Sequence, residues 1–168
     1  MLITVSALPR SGTAFVSMLL SLHPDCVGYH ELAAYDSDWR NTIRKNKITA
    51  DCNTYGYLPD YDAEPDKRIY IINTITDSHR SAEMACRKVI SHELMLRLED
   101  AGTTWAVFND CYVIDRSQVF TESGSEGMWR YCFPDTPPPM EKIRQLIKLN
   151  IQHHNAHILF GQGKEFKL

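Results

Sequence analysis

The pattern of hydrophobic and polar positions in the N-terminal part of the chain predicts a strand followed by a helix. Residues Leu2–Leu8 form a short, mostly apolar run rich in β-branched side chains, which is typical of a buried strand. After the turn residues Pro9–Thr13, the apolar positions of Thr13–Leu22 have the spacing of a helix that is buried on most of its surface. His23–Asp25 ends this helix, because proline cannot continue its hydrogen-bond ladder.

The rest of the chain continues to alternate between the two patterns. We predict two further strands, at Arg68–Thr74 and Thr104–Asn109. The predicted helices are a short one over Asp36–Lys47, a long amphipathic one over Ser78–Asp100 that ends at Gly102, and a final one over Pro139–His154. Asp51–Lys67 is predicted to be a loop or lid, and Ser117–Pro139 is predicted to be rich in loops. This alternation favours an α/β fold class, a three-layer domain in which a small parallel sheet is flanked by helices. No linker or internal repeat divides the sequence, so we expect residues 1–168 to form a single domain.

Composition and charge exclude several functional classes. A hydrophobic fraction of 43% and a charged fraction of 23% are ordinary for a soluble globular protein. The net charge of −3 gives no basic field that would attract nucleic acid or an anionic membrane, so we expect neither as a partner. The sequence contains no apolar segment of membrane-spanning length and no targeting signal, which favours a location in the cytoplasm. The sequence is also compatible with a homodimer.

The turn between the first strand and the first helix presents hydrogen-bond donors. In parallel sheets ligands collect at the carboxyl ends of the strands, which is where Pro9–Thr13 lies. Gly12 allows the backbone to approach an anion closely, and the amides that follow point at it along the helix axis. Ser11 and Thr13 add hydroxyls, and Arg10 adds a guanidinium whose geometry matches phosphate or sulfate oxygens. The loop lacks the lysine and the spacing of GxxxxGK[ST], so it predicts an anion site of another type.

The segment Leu8–Glu31, LPRSGTAFVSMLLSLHPDCVGYHE, resembles the opening segment of the sulfotransferase superfamily. It is most similar to the tyrosylprotein sulfotransferase type, with a PRSGT loop, an apolar helix, HPD and a following glutamate. The resemblance implies a P-loop-like fold and the sulfuryl donor 3′-phosphoadenosine-5′-phosphosulfate (PAPS), without a metal ion. The residues that it implies for the 5′-phosphosulfate are Pro9, Arg10, Ser11, Gly12, Thr13 and Ala14.

The same resemblance assigns catalytic roles. It implies that Glu31 is the general base that takes the proton of a hydroxyl or amine acceptor, and that Arg10 holds the leaving phosphate. His30 is a neighbouring alternative for the base. The acceptor itself, a small molecule or a peptide, is not identified by the sequence. We expect Asp51–Lys67 and Ser117–Pro139 to be lids over the acceptor, and their tyrosines and Trp129 to stack on it.

The sequence departs from the family where the nucleotide's 3′-phosphate is held. The family commonly has an arginine at the end of a later strand and a serine on the helix that follows. The corresponding region, Ile72–Lys88, has a predicted strand, turn and helix, but no arginine at the expected position. Arg80, Ser81 and Arg87 are the candidates that remain for this role.

Two other functions remain open. In a P-loop-type kinase or nucleotide hydrolase, Asp77 or Asp110 at a predicted strand end would hold Mg²⁺. In a non-catalytic nucleotide-binding module, the loop would bind its ligand without any group transfer.

Overall fold

A parallel sheet forms the centre of the computed structural model, which describes residues 1–54, 64–78 and 110–149 and positions 80, 93, 96, 97, 99, 100, 103 and 106. The described strands form one five-stranded sheet in the order β2-β3-β1-β4-β5, and every pair is parallel. The strands are β1 (Leu2–Ala7), β2 (Cys26–His30), β3 (Ile48–Thr54), β4 (Lys67–Ile72) and β5 (Tyr112–Asp115).

Helices connect and follow these strands. They are α1 (Thr13–Leu20), α2 (Leu32–Tyr35), α3 (Trp39–Lys45), α4 (Arg116–Val119), α5 (Glu122–Cys132) and α6 (Met140–Lys148). Helical backbone also occurs at 75–78 and at the described positions between 80 and 106. Among all the residues that the structure describes, no helix is long and apolar enough to cross a bilayer.

One face of the sheet is apolar and carries the main core. Ile3 and Val5 of β1 and Ile69 and Ile71 of β4 have no exposed surface. They pack in one hydrophobic cluster with the apolar residues of α1, α5 and α6. Burial of each such side chain stabilises the fold by roughly 1.5–3 kcal/mol, so this face provides most of the driving force for folding.

The opposite face of the sheet is polar. Thr4 and Ser6 alternate with the core residues of β1 and are fully buried. Tyr70 is also buried, which raises the pKa of its hydroxyl, while a hydrogen bond with Thr103 acts in the opposite direction. Because Thr103 has helical backbone, helices flank the sheet on both faces.

The end of β1 lies at the switch point of the sheet, where the connections change from one side of β1 to the other. From β1 the chain passes through α1 to the edge strand β2 and then returns to β3, next to β1. It then crosses to β4 on the other side of β1. In open α/β sheets the crevice at such a switch point is the usual ligand position.

Gly28 allows α1 to lie directly against β2. A Cβ at this position would collide with the backbone carbonyl of Ser17 in α1. The Gly28 N–H donates to the Ser21 hydroxyl across 2.8 Å. The absence of a side chain at Gly28 therefore sets the distance between the first helix and the sheet.

The predicted α/β class, with a parallel sheet flanked by helices, is confirmed, but two element predictions around the middle of the chain are wrong. The loop predicted at Asp51–Lys67 begins inside β3 and ends inside β4, and residues 55–63 lie outside the described ranges. Polar Asp51 and Asn53 gave β3 a loop-like composition, although both are buried. The strand predicted at Thr104–Asn109 is wrong at Ala106, which is helical, and its other residues lie outside the described ones.

The loop predicted at Ser117–Pro139 is also wrong, because most of it forms α4 and α5. Glycine and serine have low helix propensity, and their number suggested a loop. In α5, however, Gly124 and Ser125 are buried together with Met128, Trp129 and Cys132. The Thr121 hydroxyl caps the helix by accepting from the Gly124 N–H at 3.0 Å. Trp129 is 1% exposed and belongs to the core, so its predicted role in stacking on an acceptor is wrong.

The boundaries of the later helices also differ from the prediction. The helix after β4 has helical backbone from Ile75, before the predicted start at Ser78, and its predicted end at Gly102 lies outside the described residues. The last helix ends at Lys148 instead of His154, and the structure describes nothing beyond Leu149. The single domain over residues 1–168 stays a prediction.

We expect the substitution Gly28→Ala to destabilise the protein by about 1–3 kcal/mol or more, because the added methyl group must displace α1 from the sheet. Chemical denaturation monitored by circular dichroism measures this change in the free energy of unfolding. Ser21→Ala, which removes the hydroxyl beneath Gly28 without adding volume, serves as the control and should cost less. An unchanged unfolding free energy for Gly28→Ala would contradict the close contact between α1 and β2.

Candidate functional site

The backbone between β1 and α1 is sharply bent. Arg10 (φ 63°) and Gly12 (φ 102°) both have positive φ. A Cβ on Gly12 would lie 2.8 Å from the Phe120 ring, so both the backbone conformation and the packing require glycine there. A left-handed conformation costs a residue such as Arg10 roughly 1–2 kcal/mol, so the surrounding structure must hold the bend in place.

Two side chains from later in the chain hold carbonyl groups of this loop. The Ser78 hydroxyl donates to the carbonyl of Pro9 across 2.6 Å. The Arg116 Nε donates to the carbonyl of Arg10 across 3.2 Å. Ser78 lies in the helical segment after β4, and Arg116 begins α4 directly after β5. The bend is thus fixed from the β4–β5 side of the sheet.

Two further side chains hold the hydroxyls of the loop. Asn73, which follows β4, donates its Nδ2 to the Ser11 hydroxyl at 3.0 Å. The Thr13 hydroxyl lies 3.1 Å from Nε2 of His30, the last residue of β2. Both hydroxyls, predicted from sequence as ligand donors, therefore also bind the protein. The Ser11 hydroxyl accepts from Asn73 and keeps its own proton for a further acceptor.

The loop also presents donors that have no acceptor. Among the described residues, no group accepts a hydrogen bond from the backbone N–H groups of residues 10–14. The first N–H groups of any helix lack intrahelical partners, and here they adjoin a left-handed bend. The Arg10 Nε is buried and has no hydrogen-bond partner in the described part of the chain. Free N–H donors at a helix N-terminus, together with a guanidinium, suit an oxyanion.

Glu31 lies at the same edge of the sheet as the loop. It directly follows β2, and its N–H donates to the carbonyl of Cys52 across 3.0 Å. Its neighbour His30 is the residue that contacts Thr13. The structure therefore brings the end of β2, with both candidate bases, to the helix that begins at the loop.

Glu31 shares an unusual backbone conformation with Arg10. Among the described residues other than glycine, positive φ occurs at Arg10, at Glu31 (57°) and at Asp110 (45°). Two of these three are the residues predicted to be catalytic. Strained backbone that the surrounding structure enforces is concentrated at functional sites, which favours a functional role for this edge of the sheet.

The structure gives less information about the other predicted binding residues. Ala14 lies in the first turn of α1, next to the bend. Arg80 is helical and exposed. Ser81 and Arg87 lie outside the described residues. The geometry therefore supports the loop residues more than the candidates for the 3′-phosphate.

The two aspartates considered as magnesium ligands do not form a site with the loop. The Asp77 carboxylate accepts a hydrogen bond from the Thr74 hydroxyl at 2.8 Å, and Thr74 caps the helical segment at 75–78 by accepting from the Asp77 N–H at 3.0 Å. Asp110 precedes β5 and so lies toward the amino end of that strand, at the edge opposite to the loop. Within the described ranges, no group of three or more histidine, cysteine, aspartate or glutamate side chains is arranged to hold a metal ion.

Sequence reasoning missed Asn73, Ser78 and Arg116, and it gave His30 only a secondary place. Arg116 directly precedes the segment Ser117–Pro139 that was predicted to be a loop. A local signal was present, because Asp115 accepts from both the N–H and the hydroxyl of Ser117 and so caps α4. The side-chain and backbone hydrogen bonds from Ser117 lower the pKa of Asp115. A capping aspartate at this point predicts a helix that begins at Arg116.

We expect the substitution Glu31→Gly to leave the protein as stable as before or to stabilise it by up to about 1 kcal/mol, because glycine adopts positive φ without steric cost. Urea denaturation measures the change. Asp110→Gly is the matched control, since it relieves the same conformation at the opposite edge of the sheet. A large loss of stability confined to Glu31→Gly would show that its side chain is needed for folding.

Comparison with known proteins gives the chain no family. No protein-family model matches the sequence, and no curated protein matches it significantly. The function of the protein is therefore inferred from the loop between β1 and α1, from the contacts of this loop and from its sequence motif.

Proposed function

We propose that the protein is a sulfotransferase that moves a sulfuryl group from PAPS to a hydroxyl or amine acceptor. The observation that carries this proposal is the bend at Arg10–Thr13, whose backbone N–H groups and buried Arg10 Nε have no acceptor among the described residues and lie at the end of the central strand. The PRSGT motif of the sulfotransferase superfamily occupies this bend. The proposal includes the P-loop-like character of the fold and depends on both the geometry and the motif.

The donor set of the loop fits the anionic end of such a nucleotide. The N–H groups of residues 10–14 and the Arg10 guanidinium would hold the 5′-phosphosulfate. An unpaired buried donor costs roughly 1–3 kcal/mol, and an oxyanion that accepts from it removes this cost. Charge-assisted hydrogen bonds of this kind are also stronger than neutral ones. The loop is therefore more complementary to an anion than to a neutral ligand.

PAPS supplies a sulfuryl group attached to a phosphate that leaves readily. The acceptor oxygen or nitrogen forms a bond to sulfur while the bond between sulfur and the 5′-phosphate oxygen breaks. The Glu31 carboxylate takes the acceptor's proton. The Arg10 guanidinium and the loop N–H groups stabilise the negative charge that grows on the departing phosphate.

Glu31 and Arg10 suit these separate tasks because they lie on different segments at one edge of the sheet. Arg10 belongs to the loop after β1, and Glu31 follows β2. The contact between Thr13 and His30 connects these two segments directly. An acceptor placed over the end of β2 would thus have a base on one side and the leaving group's clamp on the other.

For nucleotide binding, we expect the transfer product 3′-phosphoadenosine 5′-phosphate to raise the thermal unfolding temperature more than AMP or ATP does, without a requirement for Mg²⁺. Arg10→Gln should weaken binding about 10- to 100-fold, because a hydrogen bond to a charged group contributes about 1.5–3 kcal/mol. Thermal-shift assays and isothermal titration calorimetry measure both effects.

Arg130→Gln is the matched control for Arg10→Gln, because Arg130 is an exposed residue of α5 that pairs with Glu126. It should bind the nucleotide as the wild type does. Equal nucleotide affinity in Arg10→Gln and the wild type would contradict the proposed role of the loop in binding. A strict Mg²⁺ requirement together with ATP turnover would replace the proposal with the kinase or hydrolase alternative.

For catalysis, we expect Glu31→Gln to lower the transfer rate by about 10²- to 10⁴-fold, the usual contribution of a general base, while the affinity for 3′-phosphoadenosine 5′-phosphate stays the same. Transfer from radiolabelled PAPS to phenolic, alcoholic and amine acceptors, tyrosine peptides included, measures the rate. His30→Gln is tested in parallel, and a larger loss of rate there would move the base to His30. Nucleotide binding in all variants without any detectable transfer would indicate a non-catalytic binding module.

A further inference from the structure

We propose that Ser78 and Arg116 are positioning residues that turn the backbone N–H groups of Arg10 and Ser11 toward the anionic group of the bound nucleotide. The inference rests on the proposed function, since it concerns the same loop. It assigns roles to two side chains that lie outside the sequence motif.

The first step follows from the planarity of the peptide bond. In a trans peptide the carbonyl of one residue and the N–H of the next point in opposite directions. No cis peptide occurs among the described residues. Because the Pro9 carbonyl accepts a 2.6 Å hydrogen bond from the Ser78 hydroxyl, the N–H of Arg10 points away from Ser78.

The same geometry applies to the next peptide unit. The Arg10 carbonyl accepts from the Arg116 Nε across 3.2 Å, so the N–H of Ser11 points away from Arg116. Two consecutive N–H groups are therefore oriented by two separate side chains. Neither N–H has an acceptor among the described residues.

The position of the two side chains gives the direction in which these N–H groups point. Ser78 follows β4 and Arg116 follows β5, so both approach the loop from the β4–β5 half of the sheet. The N–H groups are directed away from that half. The other half ends in His30 and Glu31, and the Thr13–His30 contact marks it as the opposite side of the loop. An anion bound by these N–H groups thus lies on the Glu31 side.

The bend depends on these two contacts because its conformation is unfavourable by itself. Arg10 has a φ of 63°, which other residues than glycine seldom adopt. Ser78 is fully buried, and its hydroxyl is the donor that satisfies the Pro9 carbonyl. Without these donors the two peptide planes are free to rotate, and their N–H groups lose a fixed direction. A binding site then loses affinity even where every residue of the motif is retained.

The test uses ¹⁵N-labelled full-length protein titrated with inorganic pyrophosphate and followed by amide chemical shifts. In the wild type, the amide resonances of Arg10 and Ser11 should move on binding. Ser78→Ala should abolish the shift at Arg10, and Arg116→Gln should abolish the shift at Ser11. Each variant should bind pyrophosphate roughly five- to tenfold more weakly, as expected for the loss of one hydrogen bond.

Two matched controls isolate the positioning role. Ser125→Ala removes another fully buried serine that donates to a backbone carbonyl, that of Val119 at 3.2 Å. Arg130→Gln removes an arginine that pairs only within α5 among the described residues. Both should keep the amide shifts of the loop. If Arg116 acted by its charge on the ligand, the loss of affinity in Arg116→Gln would shrink at high salt, whereas a positioning role predicts the same loss at low and high salt.

The outcomes separate this inference from the proposed function. Variants that keep both the amide shifts and the affinity overturn the positioning role, as does a wild type whose Arg10 and Ser11 amides do not respond to pyrophosphate. A wild type that responds to pyrophosphate but does not prefer 3′-phosphoadenosine 5′-phosphate overturns the sulfotransferase proposal and leaves the positioning role to be judged by the variants. If Ser78→Ala fails to fold, Arg116→Gln on the less buried side chain decides the matter alone.

Discussion

The left-handed turn of the backbone between the central strand and the first helix is the constraint on which the rest of the site depends. It reverses the chain within a few residues, and this requires positive φ at Arg10 and Gly12. Such a turn is costly for arginine, so other parts of the fold must stabilise it. Residues that end or follow β2, β4 and β5 provide this stabilisation through hydrogen bonds to the loop. These hydrogen bonds restrain the conformation of the loop, and a preorganised set of donors is the condition for strong electrostatic stabilisation of an anion, as the proposed function requires.

The two faces of the sheet have different tasks. The face toward α1 is apolar and provides the hydrophobic core, with Ile3 and Ile69 fully buried. The opposite face of β1 and β3 carries buried polar residues, among them Thr4, Asp51 and Asn53. Parallel sheets are usually apolar on both faces, so this polar face is unusual. It explains why strand patterns in this region were hard to recognise, because polar residues at alternate positions in β3 lie against helices instead of water.

The site combines residues that are distant in the sequence, and their arrangement agrees with the chemistry proposed for it. The loop presents N–H donors and a guanidinium, while the end of β2 presents a carboxylate and an imidazole at Glu31 and His30. In an in-line transfer the leaving group and the incoming acceptor occupy opposite sides of the group that moves. The proposed clamp and the proposed base lie on different segments, which is compatible with this requirement. The fold needs only the fixed order of its strands to keep the two at a constant separation.

The sequence by itself determined the first strand, the turn that follows it, the first helix and the α/β class, because these depend on local apolar runs and on the turn chemistry of Pro9 and Gly12. Only the tertiary structure decided that β3 and β5 are strands and that α5 is a helix, since neighbours distant in sequence stabilise them. The same holds for the residues that support the loop. Asn73 is 62 positions from Ser11, and Arg116 is 106 positions from Arg10. A local pattern contains no information about such pairs, because the sheet brings their strand ends together only after the chain has folded.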